Sequence, residues 1–188
     1  GARVQSYLIG NLLDDAQIQA NTFQLFLHHC NLIDLVQESV ETQRRQAPEH
    51  TILLHILSRK KTIPITADAA RIRQVIATYL ANATASSLPD QPITVEVAVK
   101  GTTAQVSVHN EGSGIAPERQ SLVWERFYQV KDIPLPHEQN LRGGINLYLC
   151  QEIIKRHHGT VDLQSAPGQG TTFSLTLPLE PGKNLVPN

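Results

Sequence analysis

The stretch VSVHNEGSGIAPERQ, residues 106–120, changes character twice within a short span. Apolar and polar residues alternate up to Asn110, which is the pattern of a half-buried β-strand. Gly112 and Gly114 then interrupt this pattern, and Pro117 followed by charged residues indicates the start of a helix. A glycine pair in this position has two interpretations: a tight turn that needs positive φ angles, or a close approach of the backbone to a ligand. This stretch alone leaves both open.

The composition of the chain excludes several classes of protein. Its 188 residues are 40% hydrophobic and carry a formal net charge of −1. This balance predicts one globular α/β domain with a short appendage, and it argues against binding to nucleic acid or to an anionic membrane. No apolar run has the roughly 20 residues of a membrane span, and no signal peptide is recognisable. We therefore expect a cytoplasmic location and an excised fragment, with membrane attachment of a longer parent protein left open.

Cysteine and histidine usage argues against disulfides and zinc. Cys30 and Cys150 lie far apart in apolar surroundings, which predicts buried thiols in a reducing compartment. The chain has 8 histidines, but the adjacent pairs at 28–29 and 157–158 lack the spacing of a zinc site.

The first half of the chain is predicted to alternate helices and strands. Apolar residues at helical spacing predict an amphipathic helix over about residues 2–19. The pattern then predicts a strand at FQLFLHH (23–29), a helix at DLVQESVETQRRQA (34–47) that ends before Pro48, and a strand at TILLHIL (51–57).

Asp68 has the position of an N-cap for a longer helix. The apolar residues at helical spacing after it predict its buried face: Ile72, Val75, Ile76, Tyr79, Leu80 and Ala83. Thr78 and Asn82 are four residues apart and therefore share one side of the helix, which we expect to be a polar face opposite the buried one.

The second half predicts more strands and two further helices. ITVEVAVKGTTAQVSVHN (93–110) predicts a hairpin that turns at Lys100-Gly101. A short helix follows near 117–127, and the segment 130–144 predicts a mobile functional loop because it has no periodicity. Residues 145–159 predict a helix with Gly159 as its C-cap, and 160–179 predict two strands around a glycine-rich turn. These elements indicate an α+β fold, a two-layer sandwich in which a mixed sheet carries helices on one face.

A second glycine element, RGGIN (142–146), lies at the predicted start of a helix. Free N–H groups and the helix dipole favour a phosphate at such a position. Each glycine element is weak evidence alone, and their combination with a polar helix face favours a nucleotide site.

The order of these motifs resembles that of sensor histidine kinases. RIRQVIATYLANA, VHNEGSGIAPE, VWERFYQV, GGINLYLCQEIIKRHHG and APGQGTTFSLTLP are similar to the asparagine box, first glycine box, phenylalanine box, second glycine box and closing strands of that family. The resemblance implies the Bergerat ATPase fold. It also implies a division into the end of a dimerisation helix (1–20), an ATP-binding catalytic domain (21–180) and a C-terminal tail (181–188).

The resemblance assigns roles to individual residues. Asn82 matches the asparagine that holds Mg²⁺ against the nucleotide phosphates, and an amide oxygen suits that hard ion. Asn110 stands where most relatives have an aspartate that accepts a hydrogen bond from the adenine amino group. Gly112 and Gly114 match the turn beneath the adenine, where a side chain would occupy the place of the base, and Ile115 is expected to touch the ring.

Further nucleotide-binding positions follow from the later boxes. Phe127 and Tyr128 match the anchor of the ATP lid, although a core aromatic pair is an equally good interpretation of the residues. Gly144 and Leu147 match the second glycine box, and Thr172 matches a threonine near the adenine.

Several positions depart from the family pattern. Thr78 replaces the Asn, Glu or His that commonly orients or deprotonates the attacking nucleophile, and so it is the candidate catalytic residue. Ala85 stands where a cation often meets phosphate. Arg142 and Asn146 occupy expected glycines, and Arg142 is expected to supply the lost charge, whereas the Cβ of Asn146 obstructs phosphate.

Two functional classes remain. The resemblance implies a two-component histidine kinase domain that positions Mg-ATP for phosphoryl transfer to a histidine outside this chain, with its own dimerisation domain and a response regulator as partners and a homodimeric parent protein. His28 and His29 are poor acceptors because they fall in a predicted strand. The alternative is a degenerate nucleotide-sensing or partner-binding module with little or no turnover. An anti-sigma-factor type serine kinase is disfavoured by the helix at 2–19.

Overall fold

The computed structural model describes residues 2–126 and 147–181, and their side chains from residue 10 onward. Its helices are α1 (Ala2–Gln19), α2 (Leu32–Gln46), α3 (Ala69–Ser86), the short α4 (Pro117–Gln120) and α5 (Leu147–Arg156), with a 3₁₀ turn at Leu122–Trp124. Its strands are β1 (His28–Asn31), β2 (Ile52–Ile56), β3 (Pro64–Ala67), β4 (Ile93–Lys100), β5 (Thr103–Asn110), β6 (Thr160–Ser165) and β7 (Thr171–Pro178).

The main sheet is mixed. Within the described ranges it has the order β2-β4-β5-β7-β6. β2 runs parallel to β4, and the other neighbours are antiparallel. A smaller antiparallel sheet joins β1 to β3.

Side chains alternate across the two faces of the main sheet. One face is buried, and its members include Ile93, Val95, Val97, Ala104, Val106, Val108, Phe173 and Leu175. The long helices α2, α3 and α5 pack on this face, while the intervening residues of β4 and β5 are half-buried. The predicted α+β sandwich with helices on one face is confirmed.

Helix α3 begins as its sequence predicts. The Asp68 side chain accepts a hydrogen bond from the Arg71 N–H at 3.3 Å, which satisfies one of the free donors of the first turn. The predicted apolar face is confirmed, since Ile72, Val75, Ile76, Tyr79, Leu80 and Ala83 are all at most 1% exposed. The predicted polar face is wrong for Thr78, which is only 4% exposed, whereas Asn82 is half-buried.

The first strand is shorter and later than predicted. β1 begins at His28, and Phe26 before it is 76% exposed. β3, which the sequence reasoning missed, pairs with β1 over four residues. Both are too short for a period-2 pattern, and Asn31 fixes their junction with α2 by accepting hydrogen bonds from the Ile33 and Ile63 N–H groups.

The C-terminal end of α5 differs from prediction. The residue in the left-handed region is His158 (φ +62°), and Gly159 does not have a positive φ. The Gly159 N–H bonds to the Ile154 carbonyl and the His158 N–H to the Lys155 carbonyl, both at 2.9 Å, which is the Schellman pattern. Gly159 is needed for a different reason, because a Cβ there would lie 2.2 Å from the Thr176 oxygen of β7.

An aromatic cluster joins α3, β7 and the 3₁₀ turn. Phe173 stacks on Tyr79 with ring centroids 5.5 Å apart, and Trp124 meets Phe173 edge-on at 5.8 Å. Because Phe173 follows the start of β7 closely, this packing fixes the strand end next to Asn110.

Three further expectations from the sequence can be compared with the structure. The hairpin turn lies at Gly101-Thr102, one residue later than predicted. Cys150 is fully buried, but Cys30 is only partly buried, so the expectation of two buried thiols holds for Cys150 alone. Of the helices in the described ranges, none has the length and apolar character needed to cross a bilayer.

Candidate functional site

The centre of the site is the end of β5. Asn110 is its last residue and is only 2% exposed. Its side-chain oxygen Oδ1 accepts a hydrogen bond from the Gly112 N–H at 2.9 Å. This Asx-type turn directs the chain out of the sheet and fixes which end of the amide faces the loop.

The two glycines after β5 are required by neighbouring backbone. A Cβ on Gly112 would lie 2.5 Å from the carbonyl oxygen of Ser86, at the end of α3. Gly114 has φ +82°, and a Cβ there would lie 2.1 Å from the Ala166 carbonyl oxygen. A side chain at either position therefore collides with protein backbone, whether or not a base is bound. The interpretation as a tight turn is confirmed by the positive φ of Gly114 and by these close backbone contacts. The close approach to a ligand stays a prediction.

Ser165 and Gln120 clamp the loop that follows. The Ile115 N–H donates to the Ser165 hydroxyl at 2.7 Å, and Ile115 itself is buried. The Gln120 side chain donates to the Ile115 and Ser165 carbonyl oxygens at 2.9 and 2.8 Å. Sequence reasoning missed this clamp because its two hydrogen bonds to Ser165 join residues 45 or more positions apart in the chain.

The threonine that shares a face with Asn110 is Thr171. The two residues are cross-strand partners, and Thr171 is 5% exposed. Its hydroxyl lies 2.9 Å from the Ser165 hydroxyl. Thr172 lies on the opposite face of the sheet, where its Oγ1 is 2.7 Å from Nδ1 of His109. The structure thus does not bring the predicted residue, Thr172, next to Asn110.

A strand alternation could have found this threonine. Phe173 is a core residue, so Thr171, two residues before it, points the same way and Thr172 points the other way. Gly170 completes the arrangement: its φ is +74°, and a Cβ there would lie 2.0 Å from the Asn110 carbonyl oxygen.

Asn82 lies on the same side of α3 as Ser86, one helical turn before it. Gly112 packs on the carbonyl of Ser86, so the glycine turn contacts the end of α3 about one helical turn after Asn82. The Asn82 side chain is half-buried and makes no hydrogen bond with the described residues. Ser87, the next residue after Ser86, has a fully buried hydroxyl that lacks a hydrogen-bond partner in the described part of the chain.

Thr78 faces the core rather than this surface. Its hydroxyl lies 2.9 Å from the carbonyl oxygen of Gln74 in the previous turn, to which it donates. It is also hydrogen-bonded to Cys150 of α5. Burial raises the pKa of the Cys150 thiol to about 12, so this pair is neutral at physiological pH.

The family model that matches the chain covers residues 67–181. Its description is "Histidine kinase-, DNA gyrase B-, and HSP90-like ATPase". The matched range contains Asn82, the glycine turn and Thr171. The chain belongs to the histidine kinase-, DNA gyrase B- and HSP90-like ATPase family.

The curated proteins that the chain is similar to include a sensor protein and a sensory kinase. The chain is 30% identical to the sensor protein EvgS of Escherichia coli K12 in an alignment of 188 positions that covers 92% of this chain and 14% of EvgS. It is 31% identical to the adaptive-response sensory kinase SasA of Rippkaea orientalis in an alignment of 180 positions that covers 94% of this chain and 44% of SasA. The chain therefore spans less than half the length of these relatives. They identify the matched region as the ATP-binding catalytic domain of a histidine kinase.

Solved structures of the ATPase family show the same fold. Full-length ShkA in complex with AMPPNP gives a TM-score of 0.77 at 22% identity, covering 95% of this chain and 36% of ShkA. The mycobacterial sensor histidine kinase MprB gives a TM-score of 0.68 at 20% identity, covering 83% of this chain and 99% of MprB.

Part of the expected site of this ATPase domain lies outside the described residues. These positions are Phe127, Tyr128, Arg142, Gly144, Asn146 and the loop 130–144. Leu147 is described: it begins α5 and is buried, 9% exposed.

Proposed function

We propose that this domain binds Mg-ATP on the surface bordered by α3, the 111–116 turn and the start of β7, and positions the γ-phosphoryl group for transfer to a histidine outside the chain. The observation that carries the proposal is the packing of Gly112 on the Ser86 carbonyl. It joins Asn110, which is suited to a base, to Asn82, which is suited to a metal and phosphates.

Asn110 and Thr171 form the base end of the proposed site. Both are buried polar residues on one face of the sheet, and they are cross-strand partners. A buried amide and hydroxyl next to a rigid turn supply the few placed polar groups that orient a bound base. Ile115 supports this end through its hydrogen bond to Ser165, which fixes the loop at the turn.

Asn82 fits a role at Mg²⁺. Its amide is half-buried and makes no hydrogen bond with the described residues, so an oxygen is available as a ligand. Mg²⁺ keeps several water ligands and binds substrate phosphates, so a single protein oxygen is sufficient. When bound there, the ion would neutralise phosphate charge.

The remaining positions enter the proposal from the resemblance. Phe127, Tyr128, Gly144 and Leu147 are proposed to form the lid and the phosphate end, with Arg142 as the cation that replaces the one missing at Ala85. Thr78 has only a packing role here, because its hydroxyl is donated to Gln74. Transfer then depends on positioning and charge stabilisation.

The partners are proposed at the level of class. α1 would be the end of a dimerisation helix (1–20) joined to the catalytic domain (21–180), with residues 181–188 as a tail. The parent protein would be a homodimer on the cytoplasmic side that passes its phosphoryl group to a response regulator.

Calorimetric titration of the 188-residue chain with ATP and Mg²⁺ tests this proposal. We expect a dissociation constant in the micromolar range. Asn110→Ala and Asn82→Ala should each weaken binding at least about tenfold, and only Asn82→Ala should also reduce the dependence on Mg²⁺. Gln105→Ala, which removes an amide from the open face of the same strand as Asn110, is the matched control and should bind like the parent. Absence of binding up to millimolar nucleotide would support the degenerate module instead.

Turnover is expected to be slow. Asn110, Ala85 and Asn146 each remove a charge-assisted contact or obstruct phosphate, and one lost contact of this kind costs roughly 1.5–3 kcal/mol. About 1.4 kcal/mol corresponds to tenfold in rate when the loss falls on the transition state. In a chain joined to a histidine-bearing dimerisation domain, the double variant Asn110→Asp, Asn146→Gly should transfer phosphate from ATP at least tenfold faster; equal rates would show that these positions are neutral.

A further inference from the structure

The side-chain amide of Asn110 has a fixed orientation. The Gly112 N–H lies 2.9 Å from Oδ1. If the amide were flipped, its NH₂ group would face this N–H donor, and one buried hydrogen bond would be replaced by a repulsive contact. The backbone turn therefore decides which end of the amide faces away from Gly112, and that end is Nδ2.

Nδ2 of Asn110 donates to no residue in the described part of the chain, although Asn110 is only 2% exposed. It is not among the fully buried side-chain atoms without a partner, which in the described ranges are Nδ1 of His50 and Oγ of Ser87. Nδ2 can therefore be reached by a molecule that enters from the surface, whereas the rest of Asn110 is buried.

The polar side chains next to Asn110 in the described ranges form hydrogen bonds with other partners. The Thr171 hydroxyl, on the same face, is paired with the Ser165 hydroxyl at 2.9 Å. The carboxylate of Glu111, the next residue in the chain, lies 3.0 Å from Nε2 of His109 on the opposite face. An amide donor is therefore presented where a carboxylate in the same place could only accept.

We propose that Asn110 removes the discrimination between adenine and guanine, so that the site binds 6-oxopurine nucleotides such as GTP and ITP about as tightly as ATP. This inference rests on the proposed nucleotide-binding function. The exocyclic amino group of adenine is a donor and needs an acceptor, whereas the O6 atom of guanine or hypoxanthine is an acceptor and needs a donor. Nδ2 supplies that donor. The second lone pair of Oδ1 still accepts from an adenine amino group, so ATP is retained.

An aspartate at this position would restore selectivity. A site that hydrogen-bonds a defined group rejects an analogue that leaves its buried polar atoms unpaired. It also rejects one that places an acceptor against an acceptor or a donor against a donor. With Asn110→Asp, the O6 atom of guanine would meet a carboxylate oxygen, and acceptor would face acceptor. We expect the preference for ATP over GTP to rise from within about tenfold in the parent to at least about a hundredfold in the variant.

The test is calorimetric titration of the 188-residue chain, in Mg²⁺, with ATP, GTP, ITP and CTP. ITP carries O6 without the 2-amino group and so isolates the contact to O6. CTP, whose single ring is smaller than a purine, measures the binding that does not depend on a purine base. The expected result is that ATP, GTP and ITP bind within about tenfold of one another and that CTP binds more weakly. Asn110→Asp should weaken the binding of GTP and ITP but not that of ATP. Gln105→Ala should leave the dissociation constants of all four nucleotides unchanged.

The outcomes separate this inference from the proposed function. If ATP binds and both GTP and ITP bind more than a hundredfold more weakly, the inference on base selectivity is overturned and the proposed function stands. If CTP binds as tightly as the purine nucleotides, the site does not distinguish a purine base next to Asn110 and the inference is also overturned. If no nucleotide binds, both fail. Should Asn110→Asp not fold, the comparison of ATP with ITP in the parent chain still decides.

Discussion

The carboxylate of Asp14 accepts two hydrogen bonds from the guanidinium of Arg71, at 2.6 and 3.0 Å, across 57 positions of the chain. This bidentate pair joins α1 to the first turn of α3. Arg71 also lies over the ring of Phe23 at 4.8 Å. Next to this pair, Arg126 forms a second bidentate pair with Asp15, and the Gln19 side chain donates to the Tyr148 hydroxyl at 2.9 Å. These polar contacts, together with the burial of Ile18 in the core, hold α1 against α3 and α5.

A double-mutant cycle on Asp14 and Arg71 should measure a favourable coupling of about 1 kcal/mol in the free energy of unfolding. The reason is that the two side chains are only 14% and 22% exposed and meet in a bidentate geometry. The cycle uses Asp14→Asn and Arg71→Gln, measured by urea denaturation.

The control for this cycle is the pair Glu38–Arg73, whose side chains are 57% and 42% exposed. It should give a coupling of about 0.3 kcal/mol or less, because solvent screens it. Coupling in the Asp14 pair no larger than in this control, or removed equally by salt in both, would contradict the prediction.

The stability of the protein should fall as pH drops below about 6.5, in part because of His157. Burial lowers the pKa of His157; the Ile153 carbonyl and Asp68 oppose that shift, and His158 adds to it. Nδ1 of His157 lies 2.8 Å from the Ile153 carbonyl oxygen and Nε2 lies 3.0 Å from the Asp68 N–H, so the ring fits as a neutral bridge between α5 and the start of α3. Below its ordinary pKa of 6.5 the unfolded chain binds a proton that the native state does not.

The measurement is the free energy of unfolding between pH 5 and 8 for the parent chain and for His157→Gln. The contribution of His157 is fully present above pH 6.5 and is lost as pH falls toward its lowered pKa, with a slope of at most about 1.4 kcal/mol per pH unit. His157→Gln should reduce the pH dependence of the free energy of unfolding by the contribution of His157. His55→Gln, at an exposed position on β2, serves as the control; an equal flattening in both variants would refute the assignment.

Gly170→Ala should destabilise the protein by about 3 kcal/mol or more and also weaken nucleotide binding. The residue has a positive φ, and the added Cβ would meet the Asn110 carbonyl oxygen at 2.0 Å. Gly101→Ala is the matched control, since Gly101 has φ +60° but no atom within 4 Å of its Cβ position. Gly101→Ala should lower the free energy of unfolding by only about 1 kcal/mol, which is the conformational penalty of the left-handed region. Equal losses would show that the close approach to Asn110 is not significant.

The two cysteines should differ in their reaction with Ellman's reagent. Cys150 is 0% exposed, and burial raises its pKa to about 12, so no thiolate is available in the native state. Cys30 is partly buried and should react slowly, faster as pH rises, because burial also raises its pKa. We expect at most one reactive thiol in the native chain and two in denaturant. A reactive thiol in native Cys30→Ser would contradict the burial of Cys150.

Local patterns predicted α3 nearly completely. An N-cap residue and apolar residues at a period of 3.6 determine both where this helix begins and which face is buried, and Asp68 and Tyr79 behave accordingly. The pair β1–β3 could not be predicted in this way, because four residues are too few for a periodic signal and each strand pairs mainly with the other.

At the candidate site, too, local patterns predicted some features and tertiary contacts decided the others. The sequence alone determined the α+β class, the strand that ends at Asn110, the glycine break after it and the asparagine on α3, since these follow from local patterns and from motif order. The tertiary structure decided that Thr171 rather than Thr172 faces Asn110, that Thr78 is buried against Cys150, and that each glycine of the turn is required by the backbone of another segment. These facts depend on strand register and on contacts between residues far apart in the chain, and such contacts leave no periodic trace in the sequence.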